Sequence, residues 1–85
     1  MQEVKLYFYT KEGCPLCDKG LEILKMFKED FSIEIVERDI YTNDAWLEEY
    51  QIRIPVVEDE KGNVLDEGIL SFSTLDTNIN KLFTT

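Results

Sequence analysis

Hydrophobic and polar positions divide the chain into stretches of two different periods. In "VKLYFY", residues 4–9, Val4, Leu6 and Phe8 alternate with Lys5, Tyr7 and Tyr9. A period of two predicts a strand, and large apolar bodies on both faces place it centrally in a sheet. "TKEG" breaks the alternation, and from Pro15 to Glu29 the period lengthens to that of a helix. Asp18, Glu22, Lys25 and Glu29 share one stripe, with Leu16, Gly20, Ile23, Leu24 and Phe27 roughly opposite. This predicts an amphipathic helix of about four turns. Pro15 is compatible with it only in the first turn, where its missing N–H has no partner to lose. Gly20 costs about 1 kcal/mol against alanine in a helix interior. On the apolar stripe it allows close approach to a sheet.

The period of two returns in "FSIEIVERDI", which predicts a second strand over 33–38 with Phe31, Ile33 and Ile35 on one side. In "YTNDAWLEEYQI", Thr42 or Asn43 can cap a short helix carrying Ala45, Trp46, Leu47 and Tyr50. "RIPVVED" reads as a third strand beginning at a proline, "EKGN" as a turn and "VLDEG" as a fourth strand, together a hairpin. "SFSTLDTNINKLF" spaces Phe72, Leu75, Ile79, Leu82 and Phe83 helically, with Ser71 or Ser73 as its cap. Tyr7, Phe8 and Tyr9 are expected in or near the core, and Trp46 and Tyr50 as core or half-exposed residues. No linker, repeat or low-complexity tract interrupts residues 1–85, so one domain is expected. The order β-α-β-α-β-β-α implies a parallel first pair joined through a helix and a closing antiparallel hairpin. That is an α/β fold with a four-stranded mixed sheet and helices on both faces.

Composition narrows the partners. An apolar fraction of 44% is enough to fold. A formal charge of −9 is opposite in sign to what phosphate neutralisation needs, which excludes nucleic acid as a partner. The acidity reads as a source of solubility. No window of 18 apolar residues predicts a membrane span. "MQEVKLYFYT" lacks the basic-then-apolar pattern of a signal peptide, so a cytoplasmic monomer is the expectation. In that compartment thiols are kept reduced, and a cysteine pair is more often catalytic or metal-binding than structural.

The candidate chemistry lies in "GCPLCDKG", which holds the only two cysteines, Cys14 and Cys17. As a staple, so short a loop would contribute only about 2 kcal/mol. As a structural metal site the pair is two ligands short of the usual four, and the chain has no histidine. A dimer pooling two pairs, or an iron–sulfur cluster with an outside thiol, would be needed. Position favours electron exchange. Cys14 precedes the helix, where unpaired N–H groups and the dipole stabilise a thiolate, and Lys11 can add positive charge. Cys17 lies one turn further on, within reach of a mixed disulfide on Cys14. Cys14 is thus the expected nucleophile and Cys17 the resolving thiol, with Asp18 helping to keep Cys17 protonated until needed. A metal or iron–sulfur module on the same cysteines, and a redox-sensing adaptor, are the alternatives; no metal is expected in the exchange reading.

"YTKEGCPLC" resembles the opening of the glutaredoxins of the thioredoxin superfamily, where a strand ends in Tyr-Thr-Lys before Cys-Pro-Tyr-Cys. "RIPVV" resembles that family's Thr-Val-Pro segment, and the element order is similar across essentially the whole chain. The resemblance implies a thioredoxin-like, glutaredoxin-type fold and a cis Pro55 facing the cysteines. The Ile54 backbone would then be free to pair with a bound thiol substrate like an added strand. It implies substrate contacts from Lys11, Pro15, Leu16, Arg53, Ile54 and Pro55. It also implies a protein or small-molecule disulfide as substrate, no bound cofactor, and glutathione or a thioredoxin-reductase system as external reductant. The chain departs from the pattern at Leu16 (tyrosine in the family), Arg53 (threonine) and Glu67 (one of two glycines). Leu70, Ser71 and Phe72 stand where an acidic pair holds the amino end of glutathione. Lys11 and Arg53 could still take a glutathione carboxylate, but the amino group loses its partner, so glutathione binding is expected to be weak. In these features the chain looks closer to a branch of small bacterial glutaredoxin-like proteins with "CPLCD" and "RIPV" segments.

Overall fold

The alternation of the first stretch is realised as strand β1 (Val4–Thr10), with Leu6 and Phe8 buried on one face and Tyr9 on the other. A computed structural model describes residues 3–84; Met1, Gln2 and Thr85, the ends of the expected 1–85 domain, lie outside the described residues. Helix α1 (Pro15–Met26) follows, then β2 (Ile33–Asp39), α2 (Asp44–Tyr50), β3 (Val56–Glu58), β4 (Val64–Glu67) and α3 (Phe72–Phe83). The sheet order is β2-β1-β3-β4, with β1 and β2 parallel and the β1–β3 and β3–β4 pairs antiparallel. This is the expected mixed sheet, with β1 inside it.

Helices cover both faces. On one, α1 and α3 enclose Leu6, Phe8, Leu24, Phe27, Val57, Leu75 and Ile79. Burial of each such side chain contributes roughly 1.5–3 kcal/mol. On the other, α2 brings Tyr50 over Tyr9, Ile40 and Val56. Tyr50 stacks on Tyr9 at 4.0 Å and donates from its hydroxyl to Glu58 Oε2 at 2.6 Å. Burial, then the Glu58 hydrogen bond, then the Tyr9 phenol raise the Tyr50 pKa above its ordinary value, so Tyr50 remains a donor. Arg38 lies over the Tyr7 ring and donates to Tyr9 Oη at 2.7 Å.

Three boundaries differ from the periodicity. The α-helical part of α1 ends at Met26, and Phe27–Glu29 form a tighter 3-10 turn, where Asp30 and Phe31 N–H groups both converge on Phe27 O. That turn satisfies the end of the helix and lets Phe27 face inward. Strand β3 begins at Val56, one residue after the proline at which the pattern starts it; Arg53 and Ile54, just before, donate to Tyr50 O and so continue the end of α2. Strands β1 and β2 each run one residue further than the alternation predicts. The caps resolve to Asn43 for α2 and Ser71 for α3. In the "EKGN" turn, the Asp59 carboxylate accepts from the N–H groups of Lys61 and Asn63, both at 2.9 Å. No helix among the described residues is long and apolar enough to cross a membrane.

Candidate active site

Gly13 turns the chain from β1 into α1 at a φ of 70°, a region that strains any residue bearing a Cβ. Cys14 comes next, extended at φ −113° and ψ 100°, and Pro15 opens the helix in the tolerated position. Cys14 is itself the N-cap: its Sγ accepts from the Cys17 N–H at 3.1 Å. The two Cα atoms are 5.2 Å apart and the sulfurs are joined as a disulfide. The pair is unevenly covered, with Cys17 1% exposed and Cys14 8%. Both belong to the core cluster beneath α1, and Cys14, the less covered residue of the two, is followed by exposed Pro15 and Leu16.

The Ile54–Pro55 bond is cis, as the resemblance implies. Pro55 is buried and its carbonyl accepts from the Gly68 N–H at 2.8 Å. A Cβ placed on Gly20 would stand 2.8 Å from Leu70 Cδ1 and 3.4 Å from Pro55 Cγ. The close approach expected of Gly20 is therefore to the cis-proline and to the loop before α3, not to the face of a strand. It brings Pro55 against the helix one turn beyond Cys17. The Ile54 backbone is less open than expected. Its N–H donates to Tyr50 O at 3.1 Å, since α2 winds on to that point, while its carbonyl accepts no hydrogen bond among the described residues.

Arg53 and Lys11 differ sharply in their surroundings. Arg53 donates to the Glu67 carboxylate through Nη2 at 2.9 Å and Nε at 3.3 Å, and through Nη1 to Glu49. The Glu67 hydrogen bond raises the Arg53 pKa, and the same bond lowers that of Glu67. Lys11 makes no ion pair among the described residues and lines a cleft of about 290 Å³ with Cys17, Asp18, Glu37 and Asp39. A second groove, of about 210 Å³, runs between Leu16, Gly20 and Ile23 of the α1 side and Ile69 and Leu70, with Lys19 as its one charged residue. Leu16 is 48% and Ile69 77% exposed beside it.

At the start of α3, Ser71 Oγ accepts from the Thr74 N–H at 3.2 Å. Phe72 stacks on Phe27 at 4.7 Å. Packing and capping thus occupy the positions where the family pattern has an acidic pair. Among the described residues no three histidine, cysteine, aspartate or glutamate side chains converge into a metal site.

The structure joins Cys14 and Cys17 at the start of α1 with Leu16 between them, sets Lys11 in the cleft that Cys17 lines, and packs Pro55 against Gly20 of the same helix. Arg53 is turned to carboxylates of its own chain. Glu49, Glu67 and Ile69 are the residues that the sequence reading did not assign. Glu49 could have been found from its spacing, four residues before Arg53 on a helix. Glu67 could not, because a separation of fourteen residues closes only through the hairpin.

The fold is shared with solved proteins. It is similar to an X-ray structure of an X. campestris protein (TM-score 0.76, 24% identity, covering 89% of this chain and 96% of that one). A Nitrosomonas europaea protein solved by NMR matches with a TM-score of 0.78 at 23% identity, covering 91% and 92%. A mutant thioredoxin from Halobacterium salinarum matches at 0.69 and 20% identity, covering 92% of this chain and 73% of that one. These likenesses establish a thioredoxin-like fold. The model of the glutaredoxin-like domain (DUF836) matches residues 5–81, a span that takes in both cysteines, the cis-proline and, but for Val4, all four strands. The chain belongs to the glutaredoxin-like domain family, and its cysteine pair, at disulfide distance at the start of α1, points to a thiol redox function.

Proposed function

We propose that the protein is a thiol–disulfide oxidoreductase that works through a mixed disulfide at Cys14. The observation that carries this reading is the placement of the pair: a cysteine that caps a helix N-terminus and receives the Cys17 N–H on its sulfur, joined to a partner one turn inside the same helix. In the reduced protein that N–H and the helix dipole favour a Cys14 thiolate. The thiolate attacks one sulfur of a substrate disulfide, and the other leaves as a thiolate that takes up a proton. Cys17 then loses its proton and attacks Cys14 Sγ, releasing the second substrate thiol and closing the Cys14–Cys17 disulfide. Two electrons and two protons pass to the substrate, and an external reductant restores the dithiol. The open Ile54 carbonyl beside Pro55 supports docking of a substrate main chain through one hydrogen bond.

The test is trapping. Cys17→Ser should retain attack and accumulate a mixed disulfide visible by mass spectrometry, whereas Cys14→Ser should form none. In Cys17→Ser, thiolate absorbance at about 240 nm should titrate below the free-cysteine range. Adducts on Cys14→Ser alone would reverse the roles, and adducts on neither would refute the exchange reading. Parallel assays with glutathione and with a thioredoxin-reductase system identify the reductant expected in a cytoplasmic setting.

A further inference from the structure

Arg53 immediately precedes the cis-proline, and Glu67 immediately precedes Gly68, whose N–H is bonded to the Pro55 carbonyl. The ion pair between them therefore lies beside the one element that the site uses to present a substrate. Nε, Nη1 and Nη2 of Arg53 each already have a carboxylate acceptor. A substrate carboxylate seeking the Nε–Nη2 edge of Arg53 must displace Glu67, which is held in place by the chain and so competes at the high effective concentration of an intramolecular group. The groove bordered by Leu16, the residue just before Cys17, offers instead apolar side chains of Ile23, Ile69 and Leu70.

We infer that Glu67 is a specificity determinant of this site. It occupies the Nε–Nη2 edge of Arg53 from within, so that the site takes a cysteine with uncharged, apolar neighbours in preference to a small thiol carrying its own carboxylates. The inference rests on the exchange reading and names the substrate class of the same site. It also accounts for two departures from the family pattern at once, since Arg53 and Glu67 are each other's partners.

Two disulfides test it: oxidised glutathione, and the disulfide of an end-blocked, uncharged Leu-Cys-Leu peptide. The wild type should show the higher kcat/KM with the peptide. In Glu67→Gln the ratio should shift toward glutathione by about three- to fivefold, the scale of a well-formed but half-exposed ion pair. The shift should appear in KM for glutathione. Glu67→Gln combined with Arg53→Gln should lose it. Binding of S-methylglutathione, followed by NMR titration, should tighten in Glu67→Gln by the same factor. A wild type that prefers glutathione overturns the inference, and so does a ratio unmoved in Glu67→Gln. A shift of equal size in the double variant also overturns it, because loss of negative charge alone would then be the cause. A protein inert toward both disulfides would overturn the exchange reading and this inference together, whereas an active one with an unmoved ratio removes only the role of Glu67.

Discussion

Gly20→Ala sets two effects of known sign against each other. In a helix interior alanine is favoured over glycine by about 1 kcal/mol. Here the new methyl would stand 2.8 Å from Leu70 Cδ1, 3.1 Å from Leu70 Cγ and 3.4 Å from Pro55 Cγ. The first separation is shorter than real methyl contacts allow, so Leu70 has to move. Leu70 is buried, and overpacking of a well-filled site costs about 1–3 kcal/mol. Together these give a net destabilisation of about 0–2 kcal/mol. In a domain of this size each 1 kcal/mol moves Tm by about 4–8 °C. Urea unfolding with an unchanged m-value would measure it. Leu70→Ala provides the cross-check. Alone it should cost about 2–5 kcal/mol through the cavity it leaves. In the Gly20→Ala background it should cost less, because the added methyl fills part of that cavity and no longer meets Leu70. If Gly20→Ala is instead stabilised by the full helix-propensity gain, and the two substitutions add independently, the close approach of α1 to Leu70 and Pro55 is not what fixes a glycine at this position.

Two other predictions concern the C-terminal end of β3. Tyr50→Phe leaves the buried Glu58 carboxylate without its hydroxyl donor and should cost about 1–3 kcal/mol in urea unfolding; an unchanged midpoint would mean that Glu58 finds another partner. Asp59→Asn should cost about 1–3 kcal/mol at neutral pH by weakening the acceptor for Lys61 and Asn63. Burial alone would raise the Asp59 pKa, but the Asn63 side chain, the N–H groups of Asn63 and Lys61 and the Lys61 charge together lower it. With the folded pKa depressed, the contribution is complete above the unfolded pKa of about 3.9 and is lost as pH falls through the folded value. The difference between wild type and Asp59→Asn should accordingly shrink below about pH 4, and a difference that is constant with pH would refute the assignment.

Much of the fold is legible in the chain because burial on one side imposes a period. Leu6 and Phe8 against Tyr7 and Tyr9, or Leu75 with Ile79, identify both the element and its inner face. Element ends are less legible, for specific reasons. Apolar spacing runs on from Leu24 through Phe27 to Phe31, so nothing in the pattern marks the change from α to 3-10 geometry after Met26. The start of β3 depends on where the end of α2 releases the chain, which the hydrogen bonds of Arg53 and Ile54 to Tyr50 O decide. At the site, the cysteine pair and the cis-proline could be anticipated from local motifs. The partnership of Arg53 with Glu67 could not, because it is set by the β3–β4 register, in which Val56 faces Glu67.

The start of α3 shows why a departure from a family pattern need not be a simple loss. Serine at position 71 does the work of a helix cap, and aspartate would cap as well. Phenylalanine at position 72 has no such substitute. Its ring lies on Phe27, which contacts Phe31, and Phe31 in turn meets Phe83, so a seam of four rings joins the end of α1 to both ends of α3. Such ring pairs contribute about 0.5–1.5 kcal/mol beyond the area they bury. In a chain of 85 residues, where the core is small, that is a sizeable share of the net stability. An acidic residue at position 72 would open the seam while adding a carboxylate to a protein whose charge is already −9. The first turn of α3 can therefore serve as a ligand clamp for an amino group or as part of the packing between α1 and α3, and in this chain Phe72 commits it to packing.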